Sequence, residues 1–309
     1  MYRIGIDVGG TKVAYGLYDE NDGLVARRQH SAPISATGPE LADLLIENAR
    51  ALIADGGTDA AQISGMGICM PSFILYEKGY VFMTSALVNV RDFPMRDYIS
   101  ERLSIPVVLD NDSNCAALAE HRFGAGRGRR DMIYMAASTG IGSGLILNGK
   151  LFRGSYGWAG ESGHMLITPD EGVECGCRNR GCFMSWASGR YIPQQIRRKA
   201  AGRTTQMDLG GELDGRALLE ACRAGDALAL EVLDQMARNL GVCVFNVYQL
   251  LNVNLFVFGG GLVNFGDMLF ERVRATFDRY NHIDMPVDFR FAEMKQDVGI
   301  IGAAELVRD

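Results

Sequence analysis

A strand, a glycine turn and a second strand occur twice in this chain. The first copy covers residues 2–19 and turns at Gly9-Gly10-Thr11; the second covers residues 131–149 and turns at Thr139-Gly140-Ile141-Gly142. Each reads as a β-hairpin. The repeat is weak, yet it sets one hairpin at the head of each of two lobes. At 309 residues the chain is long enough for two domains with separate cores. The fold class is α/β. Around the first hairpin come a strand over 24–29, a helix over 39–53 from the spacing of Leu41, Leu44, Leu45, Ala49 and Leu52, a buried strand over 63–70, a helix over 95–103, a strand over 106–109 and a helix over 113–123. After the second come helices over 227–251, 267–280 and 299–307, with a strand over 254–258 that ends in Gly259-Gly260-Gly261. No linker interrupts them. The lobes are expected to pack around a cleft, a small one from residues 1–113 with 299–309 and a large one from residues 114–298.

Composition narrows the function classes. With 48% hydrophobic and 22% charged residues and only 8 prolines, the chain has a globular balance. A net charge of −6 supplies no basic footprint for nucleic acid. No run reaches the roughly 18 to 20 apolar residues of a membrane span, and the opening Met1-Tyr2-Arg3-Ile4 has no signal-peptide pattern. A cytoplasmic protein acting on a small molecule is expected. In that compartment thiols stay reduced, and Cys69, Cys115, Cys222 and Cys243, among apolar neighbours, read as small core residues.

The remaining cysteines are different. His164, Cys175, Cys177 and Cys182 offer one nitrogen and three sulfurs within a short stretch, a ligand set for a closed, structural zinc. A disulfide between two of them is the competing reading, disfavoured by the compartment. A closed metal does no chemistry itself, so its role would be to hold Glu161 and His164.

Three glycine turns, each after a strand, can bring bare backbone N–H groups against an anion. Singly each would serve only a hairpin. Together with Asp7, Thr11 and Lys12 they point to a nucleotide phosphate and Mg²⁺. Neither a P-loop nor a Rossmann pattern fits. Phosphoryl transfer from ATP needs positioned phosphates, Mg²⁺, an aligned hydroxyl and a carboxylate to take its proton. Asp112 fits the last role. At or near a helix N-cap it could be a capping aspartate only, but the helix end would also favour its ionised form. Asn111, Glu161 and His164 would then grip the other hydroxyls of a sugar.

Asp7-Val8-Gly9-Gly10-Thr11-Lys12, Asn111-Asp112-Ser113-Asn114 with Ala116-Ala117-Leu118-Ala119-Glu120, the turn from Ser138 to Gly144, Ala159-Gly160-Glu161-Ser162-Gly163-His164, the cysteine cluster and Phe258-Gly259-Gly260-Gly261 together resemble the ROK (repressor, ORF, kinase) family over essentially the whole chain. The resemblance implies an actin-like, two-lobed hexokinase fold, related to ribonuclease H, with a duplicated βββαβα core. It implies an ATP-dependent kinase for a hexose 6-hydroxyl, with Asp112 as base and Asn111, Glu161 and His164 on the sugar. ATP and Mg²⁺ would lie on Asp7, Gly9, Gly10, Thr11, Lys12, Ser138, Thr139, Gly140, Gly142, Gly144, Gly260 and Gly261. Structural Zn²⁺ would lie on His164, Cys175, Cys177 and Cys182. Family repressors carry a helix-turn-helix before the first strand, whereas here that strand starts at residue 2, which implies the kinase branch. A homodimer or homotetramer is the family expectation.

Three positions depart from the family pattern. Cys-x-Cys-Gly becomes Cys175-Gly176-Cys177-Arg178. The glutamate that reaches the anomeric hydroxyl becomes Met184, and Ala86 stands for a sugar-binding Asn, with Asn89 as a nearby substitute. The alternatives to a free-hexose kinase are therefore a kinase for an anomerically substituted sugar, such as a β-glucoside, or a non-catalytic sugar sensor.

Overall fold

The computed structural model describes residues 1–283, 285–294 and 297–309. In chain order its elements are β1 (Tyr2–Val8), β2 (Lys12–Tyr18), β3 (Leu24–Ser31), α1 (Gly38–Asp55), β4 (Ile63–Met70), β5 (Ser72–Leu75), β6 (Tyr80–Thr84), β7 (Arg91–Phe93), α2 (Met95–Leu103), β8 (Val107–Asn111) and α3 (Asp112–Phe123). Then follow β9 (Met132–Ala137), β10 (Ile141–Leu147), β11 (Lys150–Leu151), α4 (Phe183–Ala187), α5 (Ile192–Ala200), α6 (Gly215–Arg223), α7 (Ala227–Leu251), β12 (Leu255–Gly259), α8 (Asp267–Tyr280), β13 (Asp288–Phe291) and α9 (Val298–Leu306). They fall into two compact units. One comprises Met1–Asp131, Gly144–Gly160 and Ala292–Asp309, the other Met132–Ser143 and Glu161–Phe291.

The repeat seen in sequence extends well beyond its hairpins. One sheet has the order β3-β2-β1-β4-β8, the other β11-β10-β9-β12-β13. In the first, β1, β2 and β3 are antiparallel neighbours, while β4 and β8 run parallel to β1. In the second, β10 and β11 are antiparallel, and β12 is parallel to both β9 and β13. The two sheets thus share one strand order, and these pairings in the second match the directions of their counterparts in the first, a duplicated core. A third sheet, β5-β6-β7, follows β4 and had no counterpart among the expected elements.

The first unit's core follows from periodicity. Ile4, Ile6, Tyr15 and Leu17 alternate along β1 and β2, and Leu41, Leu45, Ala49 and Leu52 form one stripe of α1; all are fully buried in one cluster. Each leucine or isoleucine so buried contributes roughly 1.5–3 kcal/mol. The opposite face of the sheet takes α9, whose small residues allow a close approach. A methyl group on Gly67 of β4 would stand 1.7 Å from the Ala303 carbonyl oxygen. In the second unit Leu228, Val232, Met236, Leu240, Val244 and Val247 form the buried stripe of α7. Among the described residues no helix is long and apolar enough to cross a membrane.

Candidate active site and metal centre

β8 runs directly into α3, and the residues at the junction divide the work. Asn111, still paired with Met70 of β4, is the N-cap: its side-chain oxygen accepts the Asn114 N–H at 2.8 Å. Asp112 is the first residue of α3, not its cap, and its carboxylate accepts the Ser113 N–H at 2.9 Å. The helix-end effect expected from sequence is present in that bond, but it does not prevail. Asp112 is exposed at its tip yet crowded by protein, and this loss of solvation lifts its pKa above the usual carboxylate range despite the bonds that lower it. Asp7, at the end of β1, is shifted the same way, first by burial and then by the charge of Asp112; the Cys69 contact and Lys12 act against the shift. The two carboxylates are therefore electrostatic neighbours, and their hard oxygens suit Mg²⁺.

Beneath Asp112 lies a pair that sequence reading missed. Asp110 is 2% exposed and accepts the Arg153 Nε–H at 2.7 Å, the Asn114 side-chain amide at 2.7 Å and the Asn111 N–H at 2.8 Å. Arg153 also pairs with Asp309 at 2.7 Å and stacks 3.9 Å over the Tyr76 ring. Nothing local in sequence marks a partner 43 positions away. Arg153→Gln would leave Asp110 buried without its countercharge, so a loss of about 3–5 kcal/mol in unfolding free energy is expected from denaturant titration. A change below 1 kcal/mol would show that the pair does not support the junction.

The glycine turns are built as the sequence suggested, each within its own unit. The Gly9 N–H donates to the Lys12 carbonyl at 2.9 Å and closes the first hairpin, leaving Gly10, Thr11 and Lys12 exposed. In the second unit the Ser138 N–H donates to the Gly140 carbonyl at 2.9 Å, with Ser138, Thr139 and Gly140 exposed. The turn after β12 lies beside it. Gly260 has φ 87°, and a methyl on Gly261 would come 3.8 Å from the Ser138 hydroxyl. Gly142 and Gly144 follow in β10.

His164, Cys175, Cys177 and Cys182 converge as expected. Their ligand atoms all lie within 4.8 Å of one another. His164 Nδ1 is 3.6 Å from Cys175 Sγ, and Cys177 Sγ is 3.5 Å from Cys182 Sγ. Tetrahedral zinc, with bonds of about 2.3 Å to sulfur and about 2.0–2.1 Å to nitrogen, spaces its ligand atoms about 3.5–3.8 Å apart, so the donors fit the ion. They do not fit a disulfide, whose sulfurs stand about 2.05 Å apart, and all seven cysteines are free. Burial keeps the His164 imidazole below its ordinary pKa and hence neutral, the form that binds metal. Burial, together with the adjoining Cys177 sulfur, pushes Cys182 up to about 12, so these thiolates stand together only where a cation compensates them. The loop turns at Arg178, with φ 69°, and at Gly181, with φ 84°. The residue that replaces a family glycine therefore occupies a left-handed position that glycine would adopt without steric cost.

Glu161 and His164 are held from two sides. The His164 N–H donates to the Glu161 carbonyl at 3.0 Å, and the buried Ser162 hydroxyl meets that of Ser143 on β10 at 2.6 Å. Met184 packs on this turn, its terminal carbon 2.7 Å from where a Gly163 methyl would be. Ala86 faces the first hairpin, 3.3 Å from a hypothetical Gly10 methyl. Asn89 does not substitute for it, because its amide donates to the Ser35 carbonyl at 3.0 Å.

The ROK family model matches residues 3–309, so the chain belongs to the ROK family. The Streptomyces coelicolor glucokinase is 30% identical over 99% of this chain and 97% of its own length. Among solved structures, the ROK hexokinase from Thermus thermophilus superposes with a TM-score of 0.83 at 31% identity, covering 98% of this chain and 97% of that one. A ROK glucokinase from Streptomyces griseus, solved with glucose and AMPPNP, gives 0.78 at 30% identity over 100% and 99%. The fold is thus the actin-like hexokinase fold.

Proposed function

We propose that this protein is an ATP-dependent sugar kinase that transfers the γ-phosphoryl group of ATP to the 6-hydroxyl of a hexose. The observation that carries the reading is the Asp112 carboxylate, placed at the start of α3 with a pKa raised by its surroundings, in a chain akin to glucokinases. A carboxylate whose pKa is raised is a better proton acceptor in its ionised form. It takes the hydroxyl proton as the sugar oxygen bonds to phosphorus and the bond to the β-phosphate oxygen breaks, releasing ADP. Asn111, Glu161 and His164 orient the sugar.

The exposed turns at Gly9-Gly10-Thr11-Lys12, Ser138-Thr139-Gly140 and Gly260-Gly261, with the half-buried Gly142 beyond, accept the nucleotide with unobstructed backbone and the Lys12 charge, whereas Gly144, expected beside them, is buried with its backbone against Ser113 and Ala117 of α3 and serves packing. Mg²⁺, when bound near Asp7, neutralises phosphate charge. Zinc on His164, Cys175, Cys177 and Cys182 is structural and fixes the turn that carries Glu161.

Purified protein with Mg-ATP and a panel of hexoses and N-acetylhexosamines should release ADP in a sugar-dependent manner. Sugar binding by calorimetry without ADP release on any sugar would instead mark a sensor.

A further inference from the structure

Four aromatic rings stand together on the first unit. Trp158 is met edge-on by Phe73 at 5.5 Å between centroids, and by Phe82 at 5.9 Å and Tyr156 at 5.8 Å with the ring planes tilted by 41°. Phe82 is 44% and Tyr156 67% exposed, and none of the four belongs to the core under α1. Two exposed rings packed on two half-buried ones, outside the core, mark a contact surface.

The position of the cluster says what that is. The Trp158 indole N–H donates to the Ile74 carbonyl at 3.0 Å, which fixes its loop on β5. The same loop carries Arg153, bonded to Asp110, two residues before Asp112. Phe73 is three residues beyond Met70, the strand partner of Asn111, so at most about 11 Å of chain separates it from the acceptor end of the sheet. The platform is therefore joined, through β5 and the Arg153 loop, to the Asn111–Asp112 junction assigned to the hexose. A pyranose presents C–H groups on its faces, which carry partial positive charge and match the negative face of an aromatic ring.

We infer that these rings form a subsite for a second sugar ring, so that the acceptor is a disaccharide phosphorylated on one hexose 6-hydroxyl. This rests on the kinase reading above. Phe82 and Tyr156 supply the open ring faces, and Trp158 sets their arrangement.

The test uses the full chain, Mg-ATP, glucose, and α- and β-linked glucose disaccharides. Phe82→Ala and Tyr156→Ala, truncations of exposed rings, should each lower the ratio of disaccharide to glucose kcat/KM by about tenfold, through KM. An unchanged ratio, an equal fall on both substrates, or a wild-type protein that turns over glucose but no disaccharide would overturn the subsite. A second readout is independent of turnover. Trp158 is one of only two tryptophans, so a disaccharide should shift the emission of the wild type and not of Trp158→Phe. That shift without ADP release would keep the subsite and remove the kinase reading; ADP release from glucose without the shift would do the reverse.

Discussion

Asp112→Asn is expected to lower sugar-dependent ADP release by about 10²- to 10⁴-fold, the usual contribution of a positioned general base, while leaving sugar binding nearly intact. The amide keeps an oxygen for the Ser113 N–H, so the helix start is preserved. Stability should not fall. Because the folded-state pKa of Asp112 is raised, its favourable contribution is present below the unfolded-chain value and is lost as pH rises through the folded value. Above the folded-state pKa the ionised carboxylate is a liability that asparagine removes, so there the thermal midpoint of the variant should equal or exceed that of the wild type. The same shift sets the acid limb of kcat/KM. Activity requires the ionised form and disappears as pH falls through the raised pKa, at a higher pH than an ordinary carboxylate would give. A variant with unchanged turnover would remove Asp112 from the chemistry.

Metal removal should have the second largest effect. One zinc per chain is expected from elemental analysis of freshly purified protein. Structural zinc contributes on the order of 10 kcal/mol to the folding of small peptides, and here the donors come from a loop with little core of its own. A strong chelator, or Cys177→Ser, should therefore open the segment over residues 161–182 to proteolysis. The KM for sugar should rise more than the KM for ATP, because Glu161 and His164 stand on the clamp. Protein without zinc that keeps its sugar KM would contradict this role.

The parts of the molecule legible in sequence are those whose signals are local. Helices over 95–103, 227–251 and 267–280 match α2, α7 and α8 because an apolar stripe recurs along each. The metal cluster was legible because three of its four donors lie within eight consecutive residues. What escaped depends on distance along the chain. β5, β6 and β7 have only 4, 5 and 3 residues, too few for a period to show. Arg153 carries no motif that ties it to Asp110. The direction of the Asp112 shift was misjudged because the helix end is visible in the sequence and the crowding around the carboxylate is not. Asn89 looked able to replace Ala86 until its amide was seen bonded to Ser35.

The most direct measurement is phosphorus and proton NMR of the product formed from Mg-ATP and a saturating sugar. Transfer to a 6-hydroxyl predicts a monoester phosphorus coupled to the two protons of one CH₂ group, formed in step with ADP and absent with Asp112→Asn. Phosphorus coupled to a ring or anomeric proton, or ADP formed without any sugar phosphate, would contradict the account.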